Sequence, residues 1–104
     1  MEMKEKIIQS LKSLGSSSEE IACNLKEKGI KGRIKNYNDC PISRFLREIL
    51  PDYLFFVVTN YANEVGYIDY YQHDFFDCLK TNEIQNVLNF ADDFDQKKYP
   101  DLIA

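Results

Sequence analysis

The sequence predicts a single α+β domain over residues 1–104: an N-terminal three-helix segment, a small antiparallel β-hairpin or sheet, and a C-terminal helix. Three observations predict it. Apolar residues recur at helical spacing through the first fifty positions and again after residue 83. Between them stand two β-branched and aromatic runs of strand length. And 104 residues suffice for one core but not two. Apolar residues make up 44% and charged residues 29%, the balance of an ordinary globular chain rather than a disordered one.

The first helix is expected over 3–14, where Met3, Ile7, Ile8, Leu11 and Leu14 share one face and Lys4, Glu5, Gln9 and Lys12 fall toward water. Gly15 is its stop. Ser16-Ser17-Ser18-Glu19-Glu20 opens a second helix, with Ser17 and Glu20 at capping-box spacing. Ile21, Ala22 and Leu25 form its stripe, and Gly29 ends it with Ile30 folding back. Residues 31–40, KGRIKNYNDC, read as a short extended segment or loop containing the turn formers Asn36, Asn38 and Asp39. Pro41 suits the first turn of a third helix, because its missing N–H would be unpaired there anyway. Ile42, Phe45, Leu46, Ile49 and Leu50 supply the buried face of that helix, Arg44, Arg47 and Glu48 face out, and Pro51 ends it.

Residues 53–59 have the composition of a buried strand, residues 60–64 of a turn, and residues 65–71 of a second strand, which together make a hairpin. Residues 75–79 are either a short third strand or an irregular approach to the last helix. Thr81 or Asn82 caps that helix. Ile84, Val87, Leu88, Ala91 and Phe94 line it, Pro100 prevents its continuation, and Leu102 and Ile103 dock the tail.

The three cysteines, Cys23, Cys40 and Cys78, are widely spaced and lack a C-x-x-C, which is the pattern of reduced thiols in a cytosolic protein. One histidine, His73, is too few for the usual zinc sites. The longest apolar stretch is five residues, Leu54 to Val58, against about 20 for a membrane helix. No signal-peptide pattern is visible at the N-terminus. The expectation is therefore a cytoplasmic protein with no cofactor, no metal and no membrane partner.

Charge is unevenly spread. Residues 1–59 hold 10 basic and 8 acidic side chains, while residues 60–104 hold 3 basic and 9 acidic. The net charge of −4 argues against a general nucleic-acid binder, which carries a surplus of Lys and Arg. The acids of the second half are interleaved with Tyr67, Tyr70, Tyr71, Phe75, Phe76, Phe90 and Phe94, a mixture suited to a protein interface. The expected partner-binding residues are Glu64, Asp69, Tyr70, Tyr71, Asp74 and Asp77 on and after the hairpin, with Asp92, Asp93 and Asp95 on the last helix. The bland alternative makes these acids solvated faces.

Other chemistries are weaker. Cys40 at a helix start is a conceivable nucleophile with His73 as its base, giving a small thiol enzyme. Asp92, Asp93 and Asp95 are a conceivable divalent-cation cluster, but no Gly-containing calcium loop surrounds them. Residues 17–30, SSEEIACNLKEKGI, resemble the first half of a helix-turn-helix. With Arg44 and Arg47 on the next helix and the hairpin as a wing, they suggest a winged-helix-like DNA-binding regulator. About ten residues separate the two helices, whereas the usual turn has three or four.

Three short motifs carry a family resemblance over most of the chain: G-I-K-G at 29–32, C-P-I-S-R-F-L at 40–46 and F-D-x-x-x-Y-P-D-L at 94–102. The chain resembles small bacterial immunity proteins of contact-dependent growth inhibition and related polymorphic-toxin systems. The resemblance implies a cytoplasmic antitoxin that binds and blocks the C-terminal domain of a cognate toxin, such as a ribonuclease, and it carries over no catalytic residue. Within the motifs, Pro41 starts a helix, Leu46 packs, Arg44 pairs with an acid such as Asp39, and Tyr99, Pro100 and Leu102 pin the tail. Residues 60–80 lie outside the motifs, where a partner-specific surface has room. A basic nuclease cleft would take carboxylates where phosphates otherwise lie, so the expected inhibition is occlusion by the acidic half.

Overall fold

The computed structural model describes residues 3–36, 38–58, 64–69, 76–79 and 82–104. In chain order the elements are α1 (Met3–Lys12), α2 (Ser18–Glu27), α3 (Pro41–Ile49), β1 (Tyr53–Val58), β2 (Glu64–Asp69), β3 (Phe76–Leu79), a 3₁₀ turn at Asn82–Ile84, α4 (Gln85–Asp95) and a second 3₁₀ turn at Pro100–Leu102. The architecture is α+β, with helices before and after an antiparallel sheet of order β1-β2-β3. Of the segment expected as a third strand or an irregular approach, Phe76–Leu79 is a strand. No helix among the described residues is long and apolar enough to cross a membrane.

The boundaries of α2 and the end of α4 have local causes. Ser17 Oγ accepts the amide of Glu20 at 3.2 Å, the forward half of the capping box. The return bond differs from expectation: the Glu20 carboxylate takes the amide of Ser16, one residue before the cap, at 3.3 Å. Gly29, at φ +71°, closes α2. The Gly29 amide donates to the Lys26 carbonyl and the Ile30 amide to the Leu25 carbonyl, each at 3.0 Å. Ile30 and Leu25 are both buried, which adds the apolar contact typical of this terminator. The end of α4 repeats the pattern with a lysine in glycine's place. Lys97, at φ +65°, donates to Phe94, and Lys98 to Asp93. The helix therefore stops here, before Pro100 is reached, which corrects the expected terminator.

The core joins α1 (Ile7, Leu11), Leu14, α2 (Ile21, Leu25), α3 (Ile42, Phe45, Leu46), one sheet face (Phe55, Val57, Val65, Tyr67) and α4 (Val87, Leu88, Phe90, Phe94). Full burial of each large apolar side chain contributes roughly 1.5–3 kcal/mol. α2 lies against α4, and α3 and α4 against β1. Two expectations change. Ile49 is 44% exposed rather than part of the α3 core face. β1 is an edge strand buried along one face, with Leu54 and Phe56 only partly covered, rather than a strand buried on both.

Candidate functional site

The three motifs meet. The Gly32 amide donates to the Leu102 carbonyl at 2.9 Å, and the Ala104 amide donates to the Gly32 carbonyl at 2.8 Å, so the tail runs parallel to Gly32 through a bridge at Ile103. Gly32 also abuts the start of α3. A β-carbon there would lie 2.5 Å from the Cys40 carbonyl carbon and 2.6 Å from Pro41 Cδ. From α4, Asp95 Oδ1 accepts the Lys35 amide at 2.8 Å, holding a loop residue whose φ is +54°. The Arg33 amide donates to the Asp39 carbonyl at 2.9 Å and closes the loop.

Around that loop three arginines share one carboxylate. Arg44 grips Asp39 at two points, Nε to Oδ1 at 2.9 Å and Nη2 to Oδ2 at 3.1 Å. Arg47 Nη2 donates to Oδ1 at 3.1 Å, and Arg33 Nε lies 3.3 Å from Oδ2. The paired Arg44 follows the expectation; the recruitment of Arg33 and Arg47 does not follow from spacing alone. Hydrogen bonds from Arg44 lead the causes that hold the Asp39 carboxyl at about 2, below its ordinary value, against the opposing effect of burial. The same pairing holds the Arg44 guanidinium above its ordinary pKa. Asp39 is 23% exposed, while Arg33 is 69% exposed. Arg44 and Arg47, expected to face outward, instead lie partly buried along this cluster.

The expected acidic site separates into parts. On α4 each carboxylate has a partner: Asp92 Oδ2 accepts from Gln96 Nε2 at 3.0 Å, Asp93 Oδ1 pairs with Lys98 Nζ at 3.1 Å, and Asp95 takes the distant Lys35 amide. Those three acids are not brought together, and no group of three metal-ligating residues forms among the described residues. In the sheet register, Asp69 pairs with Tyr53 and Asp77 with Tyr67. Glu64 pairs with Val58. Tyr70, Tyr71 and Asp74 lie outside the described residues, as do His73 and Phe75.

Three of the aromatics that alternate with the acids belong to the core. Tyr67 is 3% exposed, and Phe90 and Phe94 are fully buried. Tyr67 meets Tyr53 edge-on at 6.1 Å, and Phe90 stacks on Tyr99 at 5.3 Å. Burial pushes the Tyr99 hydroxyl above its ordinary pKa, with Glu19 and Asp93 adding to the shift.

Cys40 is buried, with Sγ 3.5 Å from Ser43 Oγ, and burial pushes its thiol up. That is the environment of a packed thiol, whereas an activated nucleophile has its pKa lowered and stays accessible. The DNA-reading arrangement meets a different obstacle. The two helices of the half-motif, α2 and α3, are separated by the whole 28–40 segment rather than by a tight turn.

Compared with protein-family models, with curated proteins and with solved structures, the chain finds no match in any of the three.

Proposed function

We propose that this chain is an immunity protein: a cytoplasmic antitoxin that binds a cognate toxin domain, a basic nuclease such as a ribonuclease, and occludes its cleft with the acidic part of the chain. The reading is one of binding rather than catalysis. One observation carries it. The motif residues expend their contacts within the fold, Gly32 on Leu102 and on Cys40-Pro41, Arg44 on Asp39, and Asp95 on Lys35. They serve the architecture, which leaves residues 60–80, with Glu64, Asp69, Asp74 and Asp77 against a single Lys80, as the segment whose chemistry the motifs do not use. Asp92, Asp93 and Asp95 each have a partner within the chain, and the reading therefore gives residues 60–80 the leading part and the α4 acids a secondary one. A carboxylate-rich surface steers a basic partner and pairs with its phosphate-binding groups.

The test is a tagged pull-down from the source cell at low salt, read by intact mass and absorbance at 260 nm. A stoichiometric basic protein, released by high salt and harmful to cells when made alone, supports the reading. Co-purified nucleic acid without protein points to the regulator instead, and a solitary chain overturns the reading. With the partner in hand, Asp69→Lys plus Asp74→Lys slows association and weakens the complex at low salt.

A further inference from the structure

The chain has a second charged surface, opposite in sign. Residues 31–47 hold five basic side chains, Lys31, Arg33, Lys35, Arg44 and Arg47, against Asp39 alone. Asp39 offers about four acceptor positions, and the bonds from Arg44, Arg47 and Arg33 draw on most of them, while each guanidinium carries several N–H donors. Most of those donors therefore remain for another anion. Among the described residues no second carboxylate is paired with these arginines. Their placement is already set: Asp39 orients all three, and the Arg33 and Lys35 amides are tied to Asp39 and Asp95. Lys31, Arg33 and Lys35 are all exposed on this held loop.

We propose that the Arg33–Arg44–Arg47 cluster, flanked by Lys31 and Lys35, docks a carboxylate-rich segment of a partner protein. The fork geometry already holds one carboxylate, the group that planar guanidiniums match at two points. A short acidic segment engages the basic patch alone. A nucleic acid would extend its phosphates into the field of a chain whose net charge is −4. The site goes beyond the inhibitor reading, because a basic cleft cannot be its occupant; it requires an acidic segment on the same partner or on another one.

The experiment titrates the ¹⁵N-labelled full chain with an oligoglutamate peptide, and in parallel with a single-stranded RNA oligonucleotide of matched charge. The expected result is peptide-induced amide shifts centred on residues 31–47. Affinity should fall about tenfold or more in the Arg33→Glu, Lys35→Glu double variant at low salt, with Arg33→Gln intermediate. Both positions are exposed, and an unchanged far-ultraviolet spectrum confirms the fold. Shifts elsewhere, equal affinity in the double variant, or tighter binding of the RNA to the same residues overturns the proposal. Asp69→Lys with Asp74→Lys leaves peptide binding unchanged or slightly stronger, so failure here is separate from failure of the inhibitor reading.

Discussion

Gly32 and Leu102, seventy positions apart in sequence, are joined by an amide-to-carbonyl hydrogen bond of 2.9 Å. This bond seats the C-terminal tail beside the entry to α3. It depends on glycine, since the Cys40-Pro41 backbone occupies the place of a side chain. Gly32→Ala forces either the tail or the start of α3 to move, and the obstacle is backbone rather than the end of a flexible side chain. The expected loss is about 1–3 kcal/mol, read as a thermal midpoint lower by several degrees. Gly29→Ala is the comparison: its site is open but its φ of +71° is unfavourable to alanine, which costs about 1 kcal/mol. An unchanged midpoint for Gly32→Ala contradicts the packing described.

Asp39 gives the chain an acid-sensitive element. Its carboxyl is held at about 2 against an ordinary 3.8, chiefly by hydrogen bonds from Arg44. The folded state thus binds this proton less readily than the unfolded state, and the stabilisation is complete above the ordinary value. It is lost as pH falls from about 4 toward 2. Asp39→Asn flattens that part of the stability profile. At neutral pH it also leaves three guanidiniums without their shared anion, for a loss of about 1 kcal/mol, with exposed Arg33 contributing little. Urea unfolding of both proteins across the acid range checks the sign and the window.

Lys97 occupies the left-handed position that ends α4, at φ +65°, with its side chain exposed. A residue bearing a β-carbon is penalised there and glycine is not. Lys97→Gly is expected to stabilise the fold by about 0.5–1 kcal/mol. Chemical denaturation measures it. A destabilised variant shows that the lysine side chain contributes more than its backbone costs.

The two described thiols differ in access: Cys23 is exposed and Cys40 buried. Mass-mapped alkylation of the native chain near neutral pH labels Cys23 rapidly and Cys40 only at the rate of opening, with denaturant equalising the two. Rapid native labelling of Cys40 would revive its reading as a nucleophile. Cys40→Ala removes a small buried group and is expected to cost about 1 kcal/mol.

The sequence by itself determined the order and kind of the elements. The apolar spacing in α1 to α4, Ser17 before α2, Gly29 after it and Pro41 at the head of α3 are local signals, each acting through neighbours within one helical turn. The antiparallel hairpin was legible for the same reason, because alternation and turn composition lie within a few residues. The pairing of Arg44 with Asp39 was also legible, five positions apart across a helix start. What only the tertiary structure decided is what distant residues do to one another. Asp92, Asp93 and Asp95 look like one acidic cluster in the chain; Asp92 and Asp93 bond their neighbours Gln96 and Lys98, but the fold sends Asp95 to the Lys35 amide sixty positions away. Tyr67, Phe90 and Phe94 alternate with acids in sequence but belong to the core, because strand and helix periodicity turns neighbouring side chains in different directions. Arg33 and Arg47 converge on Asp39 only once the 31–40 loop folds back onto α3, an arrangement secured by Gly32, Asp95 and the tail. Charge in a sequence gives the sign available to a surface; the three-dimensional path of the backbone decides which charges are already paired.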